Sequence, residues 1–282
     1  MLEIIKYQLK GRKNGMLLLL AIFGILNLIA FAVEAAGMFT GSFSFGPAAG
    51  FWIPIAVGST VITTVVMFFK CSTGHVEELL YKDTSYLMLT VPRRGWEVLG
   101  GRLVAGLVEF IAYAVSCAFL LSIHGAFAAV LSSGGETGFF RLLGFMYEQV
   151  FITNFFPLLQ VSLIMLCGFV TTGIFIVFAA VGSRSFVKNK GIATAVTIAV
   201  FITLTNWSMQ LGTALSEKLG WYANLHFALD SRFLAGNRWG MMNLEPAEKI
   251  LALPVAPFLF FLVLAAILFA GASWLMERKV EL

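Results

Sequence analysis

Residues 15–33 read GMLLLLAIFGILNLIAFAV, a run without a single charge. As a helix it would extend about 28 Å at 1.5 Å per residue, enough to cross a hydrocarbon core about 30 Å thick. Five more runs have the same character: 51–69, 103–130, 157–182, 191–211 and 254–276. They are continuously apolar, whereas barrel strands alternate, so helices are indicated. The whole 282-residue chain agrees: 59% is hydrophobic and 12% charged, against about 25% charged in a soluble domain. Too little polar surface exists to cover a core this apolar, and disorder demands the opposite composition. The reading is a single all-α domain, a polytopic membrane protein with six transmembrane helices.

Lys and Arg set the orientation. With the N-terminus inside, the inner segments 1–14, 70–102, 183–190 and 277–282 carry fourteen of the 19 basic residues. Arg141, Lys218, Arg232, Arg238 and Lys249 fall outside. That bias predicts a multi-pass cell-membrane protein with both termini cytoplasmic. It also accounts for the net charge of +4 without nucleic acid. Cys117 and Cys167 lie in apolar runs and Cys71 in an inner segment, so no disulfide framework is expected.

Residues 1–14 admit a cleaved signal, a charged tail or an interfacial helix. A signal ending near Ala30-Phe31-Ala32 would leave five spans, with the termini on opposite sides. Leu2, Ile5 and Leu9 share one helical face beside a stripe of Lys6, Lys10 and Lys13. That pattern suits a helix lying in the headgroup layer with its lysines snorkelling, and we expect this elbow. Outside, 34–50 reads as a Gly-rich loop. Residues 131–156 read as a surface helix or an extension of the fourth span. Residues 212–253, rich in Trp and Phe, read as short helices re-entering the outer membrane face.

Several chemistries fail on spacing. No GxxxxGK[ST] loop is present, so no ATP site of that kind and no enzymatic role are expected, nor any cofactor or metal. Glu77-Glu78 and Lys82 resemble the EExxxR signature of intramembrane metalloproteases, and His226 and Asp230 have the matching HxxxD spacing. The expected topology puts the bilayer between these groups, which must converge on one water. Cys71 and His75, four apart, offer two metal ligands on one helical face, too few for a site. His124 reads as interfacial. Glu109, about two turns into the third span, is the informative charge. Its preferred role is structural, paired with Arg102, a neighbouring span or another subunit; the other is to line a translocation path.

The inner segment 70–102 is too long for a turn. Asp83, Thr84 and Ser85 are helix caps, followed by the apolar Tyr86, Leu87 and Leu89, which need a cover if they face cytoplasm. Pro92 stops that element and suits the start of the next helix.

The run YLMLTVPRRG at 86–95, followed by VLGGRLVA at 98–105, resembles the inner loop of ABC-2-type transporter permeases, commonly "YLxxTLPxS" then "ILxGKLLxALI". The order of parts is similar along nearly the whole chain, down to the charged tail MERKVEL. Arg93-Arg94 and Arg102 depart from the common pattern and prevent a subfamily assignment. The resemblance implies a permease subunit that exports a hydrophobic or amphipathic substrate, such as a peptide, antibiotic, lipid or glycoconjugate. Its implied partners are separate ABC ATPase subunits, which hold the ATP and Mg, a second permease subunit, identical or different, and membrane lipid. Tyr86, Leu87, Leu89, Val91, Pro92, Arg93 and Arg94 would form the ATPase-coupling segment. The alternative is a stand-alone secondary transporter or channel, disfavoured because Glu109 is the one acidic residue within the six expected spans.

Overall fold

A computed structural model of the chain describes residues 2–39, 47–81, 94–132, 138–227 and 249–278. Each of the six apolar runs forms a helix: α1 (Leu2–Phe39), α2 (Pro47–Ser72), α4 (Gly95–Ser132), α6 (Phe155–Phe186), α7 (Lys190–Leu219) and α8 (Val255–Arg278). All six are long and apolar enough to cross a membrane. Two shorter helices, α3 (Val76–Tyr81) and α5 (Phe139–Glu148), complete the helical set among the described residues. Half of the most apolar window of α6 is buried, against 11% for α7, so α6 is the central helix. Elsewhere side chains such as Ile22, Ile62, Val115, Leu163, Ile198 and Ile267 stand exposed on the outer faces, as lipid-facing surfaces require.

Several expectations need correction. Residues 2–14 do not form a separate elbow; they are the first turns of α1, which continues unbroken to Phe39. Gln8 is buried and Arg12 half-buried, while Lys6, Lys10 and Lys13 are exposed. The lysines occupy one side of a 3.6-residue helix and the Gln8–Arg12 pair the other, and the latter side packs on the bundle. α2 begins at Pro47, earlier than the run from residue 51, so Pro54 lies well inside it. Cys71 falls in the last turn of α2, fully buried.

Of the outer region 131–156, the described residues between α4 and α6 carry two helical pieces. α5 is a separate helix without a buried residue, and a π-helical turn, Gln149–Thr153, joins it to α6. The region before α8 departs from expectation. Gly220, in the left-handed region at φ 60°, ends α7 and turns the chain into β1 (Tyr222–Phe227). β1 pairs antiparallel with β2 (Lys249–Pro254), with Tyr222 opposite Pro254 and Phe227 opposite Lys249. Two six-residue stretches satisfy one another's backbone more completely than two isolated single-turn helices could. Residues 228–248 lie outside the described residues.

Contacts gather the inner-assigned segments at one end of the bundle. Gln8 Nε2 donates to Gly74 O (3.1 Å), Lys190 Nζ lies 4.0 Å from Glu77, and Gly95 N donates to Glu277 Oε1 (2.6 Å). At this end a core of Val76, Leu79, Leu80, Val98, Leu99, Val177, Val181, Ala272 and Met276 binds α3 to α4, α6 and α8. α5 and the strand pair occupy the opposite end, where Phe127 meets Phe139 and Ser216 meets Tyr222.

Candidate functional site

At the inner-assigned end, charged side chains from several helices collect in one buried cluster. It begins with a backbone irregularity. After α2, Gly74 and His75 both take positive φ, 55° and 54°. A Cβ on Gly74 would lie 2.5 Å from the Arg102 carbonyl carbon, so only glycine fits there. Histidine in the left-handed region carries strain, and its imidazole is buried. His75 Nε2 lies 3.2 Å from Glu109 Oε2 on α4.

Arg12 of α1 closes the cluster. Its Nη1 donates to Glu109 Oε2 (3.0 Å) and its Nη2 to Glu78 Oε1 of α3 (3.2 Å). Arg102 Nη1 donates to the His75 carbonyl oxygen (3.0 Å). Two carboxylates thus meet two guanidinium groups, and the charge balances with His75 neutral. Burial, and next the Arg12 charge, push the His75 imidazole down to about 3. The structural role expected of Glu109 therefore has a neighbouring helix, not Arg102, as its guanidinium partner. The sequence signal for Arg12 was its position opposite the lysine stripe, four residues from Gln8.

Cys71, His75 and Glu109 place one possible metal-ligand atom each within 4.8 Å of one another. The donor types would suit zinc. Arg12 already supplies the positive charge at Glu109, however, and a cation there would face that guanidinium at close range. The arrangement works better as an ionic joint, tying α1, the α2–α3 turn, α3 and α4 together.

Of the expected coupling residues, Tyr86, Leu87, Leu89, Val91, Pro92 and Arg93 lie outside the described residues. Arg94 is exposed and lines an open groove of about 680 Å³ with Trp96, Phe269, Ser273, Trp274 and Glu277. Both flanks of the segment are anchored: Leu79 and Leu80 before it, Val98 and Leu99 after it, are all buried in the one core. The protease constellation does not form from the described groups. Glu77 and Glu78 sit in α3, while His226 is exposed on β1 at the other end, and Asp230 is outside the described residues.

At that other end a second pair appears. Glu34, expected in a loop, lies in α1 and is 2% exposed; His124, expected at the interface, is 5% exposed and 2.9 Å from it. Glu34 lies seven residues beyond the buried Asn27, on the same helical face, a spacing that would have revealed it. Glu109 is thus not the sole acidic side chain buried among the helices. No family model, curated protein or solved structure matches this chain.

Proposed function

We propose that this chain is the transmembrane permease subunit of an ABC transporter, exporting a hydrophobic or amphipathic substrate with ATP hydrolysed on separate subunits. One observation carries the reading. The described residues on either side of segment 82–93, Leu79 and Leu80 before it and Val98 and Leu99 after it, are buried in one core of α3, α4, α6 and α8, and most of the permease-like run lies between them. A force applied to such a segment reaches three long helices directly, because packed side chains transmit displacement with little compliance. The ionic joint adds α1 through Arg12. In this reading both termini and segment 82–93 are cytoplasmic, and a second permease subunit completes the path.

Replacing Leu87 and Leu89 with Asp tests it. The variant is expected to insert normally yet lose co-purification with its ATPase and lose transport. Unchanged co-purification removes the coupling role. A second reading, a proton-coupled carrier working alone, is favoured by the two buried carboxylate–histidine pairs. Substrate accumulation in liposomes that contain only this chain, driven by a pH gradient, would establish that reading instead.

A further inference from the structure

The outer pair plays no part in coupling to an ATPase, and its hydrogen bonds fix its proton content. Two backbone carbonyls, of Ala56 and Phe23, can only accept. Thr60 donates its one hydroxyl proton to Ala56 O (2.8 Å). It can therefore only accept from Asn27, whose amide nitrogen is 3.1 Å away and also donates to Phe23 O (2.6 Å). Both contacts demand the NH2 group on that side of Asn27, so Oδ1 must face His124. His124 Nε2 lies 2.8 Å from this oxygen and must carry a hydrogen.

The remaining contact, His124 Nδ1 to Glu34 Oε1 at 2.9 Å, then requires one proton between the two atoms. With none, an imidazole lone pair would face a carboxylate inside the bundle. With two on these atoms, two hydrogens would collide. A second proton placed on Glu34 Oε2 would find no acceptor, for that atom is buried and unpartnered among the described residues. Among the described residues no other titratable side chain contacts the pair. The outer half of α2, residues 47–64, has no ionisable side chain. On α5, Arg141 and Glu148 are exposed, and the Tyr147 hydroxyl is 3.2 Å from Ser122 Oγ. Phe31 covers the imidazole with its ring centroid 4.4 Å away.

We propose that Glu34 and His124 form a proton-binding site that takes one proton from solvent as α1 and α4 close and returns it as they part. Parted and in water at pH 8, a carboxyl is ionised and an imidazole neutral, so the separated groups hold none. Closing the helices consumes a proton, and the closed-to-parted ratio falls about tenfold per pH unit above pH 7. The site is independent of which function holds, because it follows from hydrogen-bond polarity alone.

Two measurements on the full chain test it. In lipid nanodiscs at pH 8, nitrogen NMR of labelled histidine, with His124 identified by His124→Gln, is expected to show hydrogen on Nε2 and a shared proton at Nδ1. A bare Nε2 overturns the proposal. Unfolding by SDS titration in mixed micelles between pH 7 and 8.5 is the second. Glu34→Gln, whose amide donates permanently to Nδ1, is expected to lack the tenfold-per-unit weakening that the unaltered chain shows. Equal pH slopes overturn it, and this arm stands if His124→Gln does not fold.

Discussion

Arg12 is the residue on which the inner cluster turns. Its guanidinium holds both Glu109, 5% exposed, and Glu78. Arg12→Ala leaves the buried Glu109 with only the neutral His75 imidazole beside it, and breaking such an ion pair costs roughly 3 kcal/mol. A lowered midpoint in SDS unfolding is expected, with partial recovery when Glu109→Gln is added, since the amide accepts a hydrogen bond without a charge. His75 gives the pH dependence its sign. Its folded value of about 3 lies below the ordinary 6.5 of an unfolded chain. The neutral form is the folded one, so its stabilisation is complete above 6.5 and drains away as pH falls toward 3. The loss is about 1.4 kcal/mol per unit in that window. His75→Gln is expected to flatten the stability profile between pH 6.5 and 4.5 relative to the unaltered chain.

At the scale of elements, α2 ends in a vice. A Cβ on Gly106 of α4 would overlap the Cys71 carbonyl oxygen, and one on Gly173 of α6 would overlap that of Ser72. Both obstacles are backbone, so no side chain can swing aside. Gly106→Ala or Gly173→Ala must push α2 away and disturb the His75 turn that follows, costing about 1–3 kcal/mol. Gly168→Ala, on the same helix as Gly173 but with nothing within 4 Å, is the control. It is expected to be neutral or to gain up to about 1 kcal/mol from helix propensity. Neither vice glycine was legible beforehand, because a glycine in an apolar run carries no mark of which neighbour approaches it. The strands before α8 were missed for a related reason: six-residue apolar stretches have no decisive period, and pairing between residues 222–227 and 249–254 is not local.

At the scale of the molecule, the described parts of the inner and outer segments sort themselves by charge and by contact in the same way. The segments rich in Lys and Arg converge on one end, joined by Gln8–Gly74, Lys190–Glu77 and Gly95–Glu277. If that end faces the cytoplasm, tags at residues 1 and 282 are both protected from protease in intact cells and both cleaved in inverted vesicles. Cleavage of one tag alone in intact cells contradicts an even number of crossings.

The amino-acid sequence by itself determined how many stretches are long and apolar enough to cross a membrane, and which connections carry the positive charge. Those are properties of hydrophobicity summed over twenty residues, and neighbours in space hardly alter them. Only the tertiary structure decided which polar groups meet: Arg12 with Glu109, Glu34 with His124, and the α2 carbonyls with two glycines. These partners are 35 to 101 residues apart in sequence, from Cys71–Gly106 to Ser72–Gly173, and the choice among them depends on how each helix is rotated about its own axis. Rotation is set by close packing and by the need to pair every charge removed from water, terms that exist only once the helices are in contact.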